Sequence, residues 1–255
     1  MIFDSHAHYN SEAFDQDREE VLASMAPAGV SRIMNVAAEM DSIDQIIELT
    51  EKYPYIYGAL GIHPSECQPL TNEYLDYIKK EILAHDKIRA LGEIGLDYHW
   101  PDPTKEVQKK WFDAQLDMAK ELNMPVIIHS RDACKDTMNI LSAHKDITGI
   151  IHCFSYTKET ALQYVDMGYV IGVGGVVTFK NASKLKEAVK ALPLDKIVLE
   201  TDCPYMAPTP YRGERNDSRY ISLVIDEIAS LKGIDREEVE ETCYKTTCKV
   251  YNLPE

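Results

Sequence analysis

Six side chains suited to holding metal ions are spread along this chain, and the first two fall within eight residues of its start. His6 and His8 lie in Asp4-Ser5-His6-Ala7-His8. On a strand, side chains two apart share a face, about 7 Å apart along the backbone, so two imidazoles placed in this way can close on one cation. A lone His-x-His is as readily a structural pair. What lifts this one is its company: Glu93 in Gly92-Glu93-Ile94-Gly95, His129 in Ile128-His129-Ser130-Arg131, His152 in Ile151-His152-Cys153, and Asp202 in Glu200-Thr201-Asp202. His63, in Gly61-Ile62-His63-Pro64, has the same setting. Each ends or closely follows a short apolar run.

Those runs read as strands. Eight of them, near 2–6, 32–36, 55–61, 88–93, 126–129, 149–152, 169–173 and 196–200, are rich in Ile, Val, Leu and Ala, as strands buried on both faces are. Helix signals lie between them. Asp17 to Ala28 stops at Gly29, Asp41 precedes Ile43, Ile46, Ile47 and Leu49, and Thr71 and Thr104 are N-caps. Further helices are predicted up to about Asn123, over Thr157 to Met167, and near 181–192, 217–232 and 235–250. Asp235 and Glu238 suggest a capping-box variant at the last start. Eight such units without a linker predict a (β/α)8 TIM barrel forming a single domain, 1–255. An open doubly wound sheet has the same local pattern, but no Gly-x-Gly-x-x-Gly follows the first strand.

Parallel barrel strands deliver their carboxyl ends to one rim. Of the eight histidines, five fall at such ends, while His85, His99 and His144 read as ordinary surface residues. Four imidazoles and two carboxylates are too many for one tetrahedral ion and suit two, roughly 3.5–4 Å apart. On this reading His6, His8 and Asp202 take one ion, His129 and His152 a second, and Glu93 bridges them. A bridging water there ionises near neutral pH, and Asp202 can act as its base. One or two divalent ions per subunit are expected, with imidazole-rich ligation favouring Zn, Mn, Fe or Co over Mg.

The formal charge of −15 argues against a broad surface for coating nucleic acid, yet leaves room for a local cationic groove. Cysteines 67, 134, 153, 203, 243 and 248 are scattered without a Cys-x-x-Cys pair. A disulfide framework is therefore not expected, and a cytoplasmic location is. No apolar run is long enough to span a bilayer, no signal-peptide pattern opens the chain, and no feature points to an obligate protein partner.

Taken together, several motifs resemble the TatD family of metal-dependent deoxyribonucleases. They are Phe3-Asp4-Ser5-His6-Ala7-His8, Gly61-Ile62-His63-Pro64, Gly92-Glu93-Ile94-Gly95-Leu96-Asp97-Tyr98, His129-Ser130-Arg131, His152-Cys153-Phe154-Ser155, Glu200-Thr201-Asp202-Cys203-Pro204-Tyr205, and Ala207-Pro208 through Arg212-Gly213. The resemblance runs from residue 2 to about 215. It implies an amidohydrolase-like TIM barrel that hydrolyses phosphodiesters, often as a 3′→5′ exonuclease on single strands, with DNA ahead of RNA. It also implies His6, His8, Glu93, His129, His152 and Asp202 as ligands. Many relatives carry proline where this chain has Ser218, a departure expected to touch the final loop and not the metals.

Catalysis is assigned to Asp202, Glu93 and His63, with His63 also contacting the scissile phosphate or leaving group. Substrate contacts are assigned to Arg131 as a phosphate clamp, to Arg212, and to Tyr98 and Tyr205 as base-stacking rings. Arg131 has a rival use as an ion-pair partner of Asp97 or Asp132. Arg215, Lys158, Lys180 and Lys184 are weaker contributors to a groove. Asp4 is expected to orient an imidazole, and Cys153 and Cys203 to pack. The alternative reading keeps the site but gives it an amide, lactone or phosphotriester substrate. Many such barrels bridge their metals with a modified lysine from the fourth strand, where this chain has Glu93. A third reading, a metal-binding scaffold without turnover, has no sequence feature in its favour.

Overall fold

The computed structural model describes all of residues 1–255. Eight parallel strands alternate with helices: β1 Ile2–Ala7, β2 Val30–Val36, β3 Ile56–Leu60, β4 Ile88–Asp97, β5 Val126–Arg131, β6 Gly149–Ile151, β7 Val170–Val173 and β8 Ile197–Leu199. They follow one another in the sheet in chain order. Beyond β8 the backbone pairs with the end of β1: the Asp202 N–H donates to the His6 carbonyl at 3.0 Å, and the His8 N–H to the Cys203 carbonyl at 2.8 Å. An open doubly wound sheet lacks that return to the first strand. The fold is a (β/α)8 barrel.

The chain resolves into two compact units, Met1–Asn35 with Cys153–Glu255, and Val36–His152. The first is built from both ends of the chain. Its β1 is buried at every position, and Phe3 packs its ring 5.8 Å from that of Tyr251 at the end of the last helix. The second centres on β4 and β5, which pair from Leu91 with Val126 to Asp97 with Arg131. At ten residues β4 runs past the predicted end at Glu93 to Asp97. Gly95 makes this possible. Its φ is +146°, and a Cβ there would meet the His129 carbonyl oxygen at 1.9 Å, so only glycine lets the two strands approach so closely.

The helices are α1 Arg18–Ala23, α2 Ser42–Lys52, α3 Asn72–Ala84, α4 Lys105–Leu122, α5 Cys134–Ala143, α6 Lys158–Asp166, α7 Ser183–Ala191, α8 Ile221–Lys232 and α9 Arg236–Val250. Thr71, Thr104 and Thr157 cap as their chemistry dictates, each accepting a backbone N–H three residues on. Two expectations need correction, and one helix went unread. The first helix is shorter than Asp17–Ala28: it ends at Ala23 and resumes as a 3-10 turn at Ala26–Ala28, because Pro27 has no N–H to continue the ladder. Asp235 is an N-cap by position, but its side chain makes no capping bond. Helix α5 had no sequence signal, since Ala133 caps it without a side-chain acceptor.

Candidate metal centre

Each unit carries its own convergence of imidazole nitrogens and carboxylate oxygens. In the first unit Asp4 and His6 lie in β1, and His8 lies just past its end. The Nε2 atoms of His6 and His8 approach to 3.0 Å, and Asp202 Oδ1 lies 3.8 and 3.4 Å from them. Asp202 takes a left-handed backbone (φ +57°) that aspartate tolerates better than most residues.

The fully buried Asp4 holds the backbone that carries these ligands. It accepts the His6 N–H at 3.2 Å, the Thr201 N–H at 3.1 Å, the Thr201 hydroxyl at 2.7 Å and the Ser218 hydroxyl at 2.6 Å. Burial pushes its carboxyl up to about 7, against the opposing pull of these hydrogen bonds. Asp4 was expected to orient an imidazole, yet these bonds orient the backbone of both ligand segments. Ser218 belongs to the same cluster: its amide donates to the Tyr9 hydroxyl at 2.9 Å, and the two hydroxyls lie 2.8 Å apart. The departure at Ser218 thus reaches the site and not merely the final loop.

Glu200 is a further buried carboxylate. It accepts the Cys153 N–H at 2.7 Å, and a Cβ on Gly172 would lie 2.2 Å from its Oε2. Burial pushes the Cys203 thiol far up, as suits a packing residue. A small recess beside Asp202 is lined in part by Cys153, Phe154, Gly174 and Met206.

In the second unit His129 is bracketed. Its Nδ1 lies 2.8 Å from Glu93 Oε1 and its Nε2 3.3 Å from Asp97 Oδ2. His152 Nε2 and His63 Nε2 are 3.8 and 3.9 Å from the same Glu93 oxygen. Ser65 engages the Nδ1 of His63, its hydroxyl at 2.7 Å, so this ring presents Nε2 to the carboxylate. Asp97 was missed as a candidate ligand; its place four residues beyond Glu93, in the same Gly92-Glu93-Ile94-Gly95-Leu96-Asp97 motif, was the available signal. Burial alone would lower the basicity of His129, but Asp97 and Glu93 override it and raise its pKa to about 9. Carboxylates that hold a proton on a buried imidazole make a place for positive charge. The donor set, imidazole nitrogen with carboxylate oxygen, is one that divalent transition ions accept. The residues present therefore fit a metal ion in each unit.

Among the substrate-side residues, Arg131 is exposed. Of the expected rivals for its charge, Asp132 faces the His99 ring at 3.7 Å, while Asp97, whose Oδ1 accepts the His99 N–H at 2.8 Å, is also within electrostatic reach of the guanidinium. Arg212 is exposed and lies over the Phe179 ring at 4.4 Å, and Tyr205 is 59% exposed. Tyr98 is tied down, its hydroxyl on Asp136 at 2.8 Å and its ring under Lys105 at 4.3 Å. Arg215 is committed to Asp17, at 2.6 and 2.8 Å. Of the histidines read as surface, His144 is buried against Asp113 at 2.8 Å, and His99 stands beside the end of β4.

The family model described as TatD related DNase matches residues 3–252. This chain belongs to the TatD family. It is 42% identical to the metal-dependent hydrolase YabD of Bacillus subtilis, over 99% of this chain and 100% of that protein. It is 34% identical to YcfH of Escherichia coli K12, also named a metal-dependent hydrolase, over 99% and 96% of the two chains. The crystal structure of YjjV, a TatD homologue from Escherichia coli K12, superposes with a TM-score of 0.94 at 32% identity, covering 99% of this chain and 98% of that one. The protein is a metal-dependent hydrolase of the TatD family, and its His, Asp and Glu clusters are of the kind that hold the metal. No helix in it is long and apolar enough to cross a membrane.

Proposed function

We propose that this TatD-family hydrolase cleaves phosphodiester bonds of single-stranded DNA, releasing 5′-mononucleotides from the 3′ end, with RNA as the lesser substrate. The chain acts as one catalytic domain, 1–255. His6, His8 and Asp202 would hold one divalent ion in the first unit, and Glu93, His129 and His152 would hold another in the second; Asp97 supports His129. Bound there, the ions supply Lewis acidity to a phosphodiester and lower the pKa of water. Asp202 takes the proton of the attacking water, and His63 contacts the scissile phosphate through Nε2 as the bond from phosphorus to the 3′ oxygen breaks. Arg212 and Tyr205 extend the contact along the strand. Six free cysteines suit a reducing compartment, the cytoplasm.

The observation that carries the reading is Arg131, an exposed guanidinium at the end of the strand that bears His129, with Asp97 hydrogen-bonded to His129 and His99 and Asp132 facing His99. Guanidinium pairs with phosphate oxygens in a planar fork. A 5′-labelled single strand incubated with metal-loaded protein should shorten stepwise from its 3′ end and stop when chelator is added. Asp202→Asn and Glu93→Ala should each slow the reaction by at least ~100-fold, the usual yield of a positioned base. Normal cleavage by these variants, or hydrolysis of a lactone or amide in place of DNA, would refute the proposal.

A further inference from the structure

The loop between β4 and α4 carries a feature that hydrolysis at the metal centre does not require. Trp100 is 58% exposed, in a chain whose other tryptophan, Trp111, is 5% exposed. Leaving an indole in water forgoes the largest apolar burial any side chain offers. The ring is nonetheless held: the His99 ring meets it edge-on, centroids 4.7 Å apart. His99 is fixed in turn, its N–H donated to Asp97 Oδ1 at 2.8 Å and its ring 3.7 Å from Asp132. Asp97 gives its other oxygen to His129. The Tyr98 N–H donates to the Arg131 carbonyl at 2.9 Å, so the loop is stitched to the residue that bears the exposed guanidinium. Pro101 and Pro103 restrict the backbone just beyond. An exposed indole thus sits on a restrained loop that is hydrogen-bonded to the backbone of Arg131 and, through Asp97, to His129.

An aromatic face beside a cation matches one unit of a nucleic-acid strand, a base beside its phosphate. We infer that Trp100, backed by His99, stacks a nucleobase of the strand whose phosphate Arg131 holds. The inference rests on the phosphodiesterase reading and assigns to Trp100 the role that the tied-down Tyr98 does not fill.

Because Trp111 is buried and shielded from a bound strand, the part of the intrinsic fluorescence that changes on binding reports chiefly on Trp100. Titration of the metal-loaded protein with an octathymidylate whose linkages are phosphorothioate, to slow cleavage, should quench the emission. Trp100→Ala should weaken binding of that strand about fivefold or more, as loss of one base–aromatic stack does. Trp100→Phe should restore most of the loss, and an octamer lacking bases should bind Trp100→Ala and the wild type alike. Equal binding of octathymidylate by wild type and Trp100→Ala, in a protein that degrades DNA, overturns this inference alone. A wild type that neither binds nor degrades the strand overturns the proposed function together with it.

Discussion

At the scale of single residues, the difference between Arg131 and Arg215 shows how partners decide availability. Both are arginines near motif residues. Arg215 forms a two-pronged pair with Asp17, whereas Asp132, next to Arg131 in sequence, faces His99, and Asp97, opposite it on the paired strand β4, is hydrogen-bonded to His129 and His99. Arg131→Ala should weaken single-strand binding and lower the slope of log affinity against log salt by about 0.7, the share of one phosphate contact on a single strand. An unchanged slope in a salt titration would remove Arg131 from the phosphate. The chemistry of Arg131 was legible from its place two residues beyond His129, but its freedom was not, because the competing acids are positioned by backbone turns that residue types do not specify.

At the scale of elements, β1 and the segment after β8 are aligned by a single buried carboxylate. Asp4 gathers donors from His6, Thr201 and Ser218, and Ser218 ties Tyr9 into the cluster. Ser218→Ala removes a donor to Asp4 and the hydroxyl partner of Tyr9 in a site without water access, a loss of about 1–3 kcal/mol. A urea titration should show the midpoint falling, and calorimetric titration with Zn or Mn should show weaker metal binding in the same variant. If neither changes, the cluster does not hold the ligands. Element boundaries illustrate the same division. The Thr caps were readable because a hydroxyl three residues before an orphan N–H is a local device. Helix α5 and the extension of β4 were not, because tertiary pairing with β5 sustains β4 as far as Asp97.

At the scale of the whole molecule, a metal that binds only the folded chain stabilises it by mass action. At a free concentration a hundredfold above its dissociation constant the gain is about 2.7 kcal/mol. For a chain of this size that corresponds to roughly 5–10 °C in melting temperature. Differential scanning calorimetry of the metal-loaded protein before and after chelation should show that fall. An identical trace would mean that the clusters do not load.

Local pattern was enough for the succession of eight strand–helix units and for placing five histidines, Glu93 and Asp202 within or just beyond the later part of a strand. The alternation of apolar runs with amphipathic stretches is written in local periodicity, and a strand's direction dictates which of its ends carries the chemistry. Only the tertiary structure decided that Asp97 joins His129, that Asp4 serves backbone and not imidazole, that Ser218 reaches the ligand segments, and that Trp100 rather than Tyr98 is the exposed ring. Each of these depends on contacts between segments distant in sequence or on which competing partner a side chain meets. Such contacts follow from strand register and packing, which no local pattern records.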